Sequence, residues 1–262
     1  MHALMLAAGI GSRLSGNDDS HSPKALLRFD GKSLLHRHVE TLRGYGVEEM
    51  TVVVGYHRDE IAAEIDAIGA GSFARTVYNP EFRRGSAVSL WTARDVLAGG
   101  DGVLFMDADV LYDPLLIGRL ADSAQPNCLL LDREFRSAEQ PVKLCLRGGV
   151  PVEFRKAIEG AYDVVGEWPG FLRLSPPIGR RVAAALEAYV AAGRLDEPYE
   201  EAIRDVMLSE PPGTFAVADI TGLPWIEIDT PTDLARARTE IMPRLRAAEP
   251  PLPEATGRRA AE

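Results

Sequence analysis

Basic residues are in short supply. Lys and Arg number 29 against 39 Asp and Glu in 262 residues, a formal net charge of −10. Proteins that bind nucleic acid generally neutralise phosphates with clustered Lys and Arg, so this balance argues against nucleic acid as a partner. An acidic chain that handles an anion must concentrate its positive charge locally. Cysteine is nearly absent: Cys128 and Cys145 are the only two, both in apolar runs. A chain of this length buries a core without disulfides or structural metals. Both thiols are expected as reduced core residues, although sequence leaves a bridge between them open. No run approaches the ~20 apolar residues of a membrane span, and the first residues lack a charged leader and cleavage site. The expectation is a soluble cytoplasmic protein with no membrane partner.

What is present alternates short apolar runs with amphipathic segments. Strands are expected over 3–8, 50–54, 74–78 and 102–106, with helices over 34–45, 58–68 and 86–97. The strands are continuous apolar runs, as when both sheet faces are covered. Such alternation predicts an α/β fold, a doubly wound and mainly parallel mixed sheet with helices on both faces. Ligands of such sheets bind beyond the carboxyl ends of strands, here just after Ala8, Tyr78 and Met106. Past Pro114 the pattern changes. Short strands over 128–132, 142–147, 152–154, 170–174 and 225–228, and helices over 177–192, 199–208 and 232–246, read as a mixed extension of the same sheet. Two stretches look mobile, residues 15–22 (SGNDDSHS) and the Pro/Ala-rich tail 247–262, the latter expected to be disordered.

Three motifs fall at the expected strand ends or close the chain. Leu6-Ala7-Ala8-Gly9-Ile10-Gly11-Ser12-Arg13 leaves a strand through two glycines, which let backbone N–H groups approach an anion. Arg13, and Lys24 across a polar gap, add fixed positive charge. A dinucleotide fingerprint fails because Leu14 stands where the third glycine belongs, and a Walker A loop fails because no Gly-Lys-Ser/Thr is present. The second motif, Asp107-Ala108-Asp109, follows an apolar strand, and carboxylates at i and i+2 there can reach one hard cation. The third, Trp225-Ile226-Glu227-Ile228-Asp229-Thr230-Pro231, puts Glu227 and Asp229 on one side of a strand. Thr230 or Thr232 is placed to cap the next helix, and Asp233 reads as a first-turn helix acid. His21, His36, His38 and His57 show no metal-like clustering and are read as solvated or capping residues.

The string LAAGIGSRL, a polar gap, then SPKALLRFDGKSLLHRHVETL resembles the sugar-nucleotidyltransferase and cytidylyltransferase superfamily. Tyr78-Asn79-Pro80 and the later Ser89-Leu90 resemble its branch acting on phosphocholine, aminoethylphosphonate and inositol phosphate. The resemblance implies a Rossmann-like nucleotidyltransferase fold over residues 1–246, with a nucleotide-binding half (1–114) and an acceptor-binding, metal-closing half (115–246). It implies that Gly9, Gly11, Ser12, Arg13 and Lys24 hold a nucleoside triphosphate, CTP favoured, beside Leu6, Ala7 and Ala8. Gly85 and Ser86 are candidates for the base or ribose, or an ordinary helix cap. Asp107 and Asp229 are expected to hold Mg²⁺, with Asp109 and Glu227 as further candidates. For a small phosphate or phosphonate acceptor the candidates are Lys143, Glu167, Tyr199 and Glu200; a quaternary amine would want the aromatic faces of Trp168, Tyr199 or Trp225. A homodimer is compatible with the resemblance. A sugar-1-phosphate nucleotidyltransferase using UTP, dTTP or GTP is the nearest alternative, ahead of a nucleotide-sugar glycosyltransferase or a non-catalytic nucleotide-binding regulator.

Overall fold

The computed structural model describes residues 1–15, 21–135 and 141–248. Most of the loop expected over 15–22, and the tail beyond 248, lie outside the described residues. Seven strands form the central sheet, in spatial order Ala216–Asp219, Cys128–Leu131, Phe171–Leu174, Val103–Asp107, His2–Ala7, Glu49–Val54 and Ala74–Tyr78. The first-half strands are parallel to one another, so Gly9 and Asp107 leave the sheet at the same carboxyl edge. Parallel pairing buries both faces; accordingly Leu4, Met5, Val52, Val53, Leu104 and Phe105 are all fully buried. Met5, Val52 and Leu104 join the core on one face, while Leu4, Val53 and Phe105 join that on the other.

The second half is in part the expected mixed extension of the sheet and in part a sheet of its own. Phe171–Leu174 enters the sheet antiparallel between Val103–Asp107 and Cys128–Leu131. Lys143–Arg147, Val150–Arg155 and Val164–Glu167 instead form a separate three-stranded antiparallel sheet. Trp225–Glu227 pairs with Val110–Tyr112 in a two-stranded ribbon, a partner that three residues gave no sequence signal for. The helix expected over 86–97 is two, Ser86–Thr92 and Arg94–Ala98. The Thr92 hydroxyl donates to the Val88 carbonyl at 2.8 Å, a back-bond that bends helices. The closing helix runs as Pro231–Arg236, a π-turn over Ala237–Ile241 and Met242–Ala248. Its start carries the expected cap: the Thr230 side chain accepts from the Asp233 amide, and Asp233 returns a bond to the Thr230 amide. Cys128 and Cys145 are free and buried. Among the described residues no helix is long and apolar enough to cross a membrane.

Candidate active site

The glycine loop is shaped around a lysine stem. Gly11 has φ +74°, and a Cβ there would meet Lys24 Cγ at 3.2 Å, so glycine lets the lysine lie against the loop. Lys24 opens a one-turn helix directly after Pro23. Its ammonium donates to Asp109 Oδ2 at 2.9 Å and to Asp229 Oδ1 at 2.5 Å. The Arg13 guanidinium lies 2.9 Å from Asp229 Oδ2. Burial works against the lysine's charge, but Asp109 and Asp229 override it and hold the ammonium protonated above the ordinary lysine range.

The acids are assembled from both halves of the chain. The ribbon sets Glu227 against Val110, and the Ile228 amide donates to the Asp109 carbonyl at 3.0 Å. The ribbon is pinned from within by the Trp225 indole N–H, which donates to the buried Asp132 carboxylate at 2.8 Å. Asp233 also accepts from the Asp229 amide at 3.3 Å, so the helix cap orients the acid before it. One oxygen each from Asp109, Glu227 and Asp229 come within 4.8 Å of one another. Three carboxylates without thiolate or imidazole suit a hard divalent cation. Burial, then Asp109 and Asp229, push Glu227 up to about 8, a protonation that a bound cation would relieve.

Asp107 is held elsewhere. Its Oδ2 accepts the Tyr199 hydroxyl at 2.5 Å, and its amide donates to the Gly170 carbonyl at 3.0 Å. Gly170 has φ +89°, and a Cβ there would lie 2.7 Å from Asp107 Oδ2. Burial and then Asp109 raise the Asp107 carboxyl well above the usual range. The structure groups Asp109 with Glu227 and Asp229, while Asp107, expected as a principal ligand, accepts the Tyr199 hydroxyl and lines both cavities with Glu227 and Asp229. His38, read from sequence as solvated or capping, is fully buried. Its Nε2 donates to the Ala108 carbonyl at 3.2 Å and its Nδ1 accepts the Tyr112 hydroxyl at 3.1 Å. Burial lowers it to about 4, so a neutral imidazole props the turn between the two aspartates.

Two cavities meet at these acids. The larger, about 390 Å³, is walled by Gly9, Gly11, Ser12, Arg13 and Lys24 on one side and by Phe82, Arg84, Ser86 and Ser89 on the other. Leu6 and Ala8 also face it, whereas Ala7 lines a separate cavity of about 90 Å³ with Gly9, Gly11, Lys24 and Asp109. The smaller, about 50 Å³, adds Pro141, Val142, Lys156, Trp168 and Gly170. Arg13, Asp107, Glu200, Glu227 and Asp229 line both. A larger apolar hollow of about 550 Å³ beside helix Leu34–Gly44 contains none of these acids.

Other expected residues have different neighbours. The Gly85 amide donates to the Leu195 carbonyl at 2.9 Å, and a Cβ there would lie 2.3 Å from the Glu197 carbonyl oxygen. The Ser86 hydroxyl accepts the Tyr199 amide at 3.0 Å while still lining the larger cavity. This pair thus seats the segment that delivers Tyr199. Asn79 is likewise a turn former, donating to Ser89 Oγ and accepting from the Glu81 amide. Lys143 donates to the Lys156 carbonyl at 2.6 Å; it is Lys156 that lines the smaller cavity, a residue with no motif around it. Glu167 is buried on its strand and lines neither cavity.

Residues 3–168 match the family model described as the MobA-like NTP transferase domain. The chain belongs to this family. The family match carries the glycine loop, Lys24, Asp107, Asp109 and Lys156, and ends before Tyr199, Glu200, Glu227 and Asp229. Among individual proteins, the chain is 30% identical over 255 residues to CMP-5'-(3-aminopropyl)phosphonate synthase of Streptomyces rubellomurinus, covering 93% of this chain and 39% of that protein. It is 32% identical over 235 residues to a bifunctional IPC transferase and DIPP synthase of Rubrobacter xylanophilus, covering 88% of this chain and 50% of that protein. The chain thus spans half or less of the curated relatives it matches. Among solved structures, the inositol-1-phosphate CTP transferase of T. maritima shares the fold, with TM-score 0.74, 21% identity, and coverage of 95% of this chain and 97% of that one.

Proposed function

We propose that this protein is a Mg²⁺-dependent cytidylyltransferase that moves CMP from CTP onto a small phosphate or phosphonate and releases pyrophosphate. One observation carries the reading. Glu227 and Asp229, grouped with Asp109, line both a cavity bounded by the glycine loop, Arg13 and Lys24 and a second one containing Lys156. Two anionic reactants entering from the two sides would meet beside a cation held by these acids, with Arg13, Lys24 and Lys156 adding positive charge around them. The name of the Streptomyces relative, a CMP-phosphonate synthase, supports CTP and a phosphonate.

An acceptor oxygen attacks the α-phosphorus, the bond from that phosphorus to the α–β bridging oxygen breaks, and pyrophosphate departs with its electron pair. The acceptor is already anionic near neutral pH, so no side-chain base is required. The work is alignment and charge neutralisation. Backbone N–H groups of the Gly9–Gly11 turn and the Arg13 and Lys24 side chains hold the triphosphate, and Lys156 draws in the acceptor. Magnesium, held by Asp109, Asp229 and Glu227, would supply electrophilic polarisation of the α-phosphate. Asp107, fixed by Tyr199, borders both reactants. Residues 1–114 supply most of the nucleotide wall and residues 115–246 the acceptor wall, in one cytoplasmic nucleotidyltransferase unit.

The test is a pyrophosphate-release screen of four nucleoside triphosphates against small phosphates, phosphonates and sugar 1-phosphates. Release with CTP and a non-sugar acceptor is expected. Release only with UTP or dTTP and a sugar 1-phosphate would replace this reading by the sugar one.

A further inference from the structure

We infer that His21 is a positioning residue for the triphosphate: by holding the Ile10 carbonyl, it keeps the glycine turn open to an anion. This rests on the reading that the turn holds the triphosphate. Carbonyl oxygens carry partial negative charge, so a turn receives an anion only with its N–H groups forward and its carbonyls turned away. Three carbonyls of the segment Ala8–Gly11 are bound by other donors. The Ala8 carbonyl accepts the Tyr56 amide at 3.2 Å, and the Gly11 carbonyl accepts the Leu14 amide at 3.0 Å. The Ile10 carbonyl is held by a side chain, accepting His21 Nε2 at 2.5 Å. A carbonyl only accepts, so Nε2 carries the proton. The carbonyl and the following N–H of a trans peptide point in opposite directions. Holding the Ile10 carbonyl therefore fixes the direction of the Gly11 N–H, and Gly11 lines the larger cavity.

The imidazole is itself anchored. Its ring lies 5.2 Å from that of Tyr56, which is buried and stacks on His57 at 4.0 Å. His57 adopts φ +46°, a left-handed conformation uncommon outside glycine, and its Nδ1 donates to Glu60 Oε1 at 2.5 Å. Ser22, next to His21, bonds the same carboxylate and, with His57 and against burial, holds it below the usual carboxylate range. His21 and Ser22 are thus tied to the start of helix Arg58–Ala67, and Pro23 and Lys24 follow directly. Gly55, in front of Tyr56, packs against the same turn: a Cβ there would lie 2.8 Å from the Ala8 carbonyl oxygen. Stacked side by side, Tyr56 and His21 therefore restrain two carbonyls of the turn, one through a backbone amide and the other through a ring. Sequence gave this no motif, and His21 read there as a solvated or capping residue.

Two substitutions separate the donor from the ring. His21→Phe keeps a ring against Tyr56 and removes the donor, whereas His21→Gln loses the ring and keeps an N–H at similar reach. Wild type and both variants are measured for binding of CTP and of inorganic tripolyphosphate by titration calorimetry, and for KM and kcat in pyrophosphate release with Mg²⁺. His21→Phe is expected to weaken CTP and tripolyphosphate by the same factor, about 3- to 10-fold, the range of one neutral hydrogen bond, with the acceptor KM unmoved. His21→Gln should stay within about twofold of wild type, because the donor is kept. Equal affinities in wild type and His21→Phe would overturn the inference. So would equal losses in the two variants, which would make packing of the ring the cause. Either result leaves cytidylyl transfer intact. A wild type that binds neither CTP nor tripolyphosphate would remove the nucleotide reading itself, and the inference with it.

Discussion

Replacing Lys24 by Met should cost stability and return it on addition of Mg²⁺. Met keeps most of the stem that lies against Gly11 and removes only the ammonium. That ammonium bridges Asp109 and Asp229 at 2.9 and 2.5 Å. The three side chains are 14%, 21% and 17% exposed, Lys24 first, too little for the pairs to count as screened surface bridges. Stripping one partner from a buried ion pair costs about 3–5 kcal/mol. Arg13 stays on Asp229 and the site opens to solvent, so the low end, about 3 kcal/mol, applies. For a domain of this size that corresponds to a fall in Tm of roughly 6–12 °C. In wild type the ammonium occupies the carboxylates that a divalent cation would use. The variant should therefore gain more from Mg²⁺ than wild type does, because ligand binding to the native state raises its stability. Thermal unfolding in EDTA and across a Mg²⁺ titration checks both halves. A loss under 2 °C in EDTA, or equal Mg²⁺ responses for the two proteins, would refute the reasoning.

Other outcomes follow from the same geometry. Gly170→Ala forces a side chain into φ +89° and against Asp107 Oδ2; it should cost about 1–3 kcal/mol in denaturant melts and depress kcat further than that stability loss explains. Gly85→Ala collides with the Glu197 backbone, so hydrogen exchange should accelerate over residues 194–198 and turnover should fall as Tyr199 loosens. Without metal, stability should decline between the ordinary glutamate pKa of ~4.3 and pH of about 8. In that window folded Glu227 keeps a proton that the unfolded chain has released, so rising pH favours unfolding. Saturating Mg²⁺ should flatten the decline, as urea melts at pH 5 and 8 would show.

The first half of the chain was legible because its strands are buried on both faces and its functional residues sit at strand ends. Leu6 to Arg13, Asp107 and Asp109 could be placed from local pattern alone. The Glu227-x-Asp229 pair and the Thr230–Asp233 cap were visible for the same reason, being local in sequence. What was not legible depends on distant partners. Phe171–Leu174 is four apolar residues whose antiparallel place is set by pairing with Val103–Met106. Gly85 and Ser86 read equally well as a ligand contact or a cap until Leu195, Glu197 and Tyr199 are seen against them. The Tyr199 hydroxyl on Asp107 had no signal, because nothing nearby in sequence announces a tyrosine 92 residues on. Lys156 carried no pattern at all, and its place follows only from the separate three-stranded sheet.

The most direct measurement of the central claim is ³¹P NMR of wild-type protein incubated with CTP, Mg²⁺ and an aminoalkylphosphonate, repeated with Asp229→Asn. The account predicts a phosphonate–phosphate anhydride carrying CMP, formed one-to-one with pyrophosphate, and loss of both with the variant. Formation of CDP and inorganic phosphate in place of pyrophosphate, or unchanged turnover by Asp229→Asn, would contradict it.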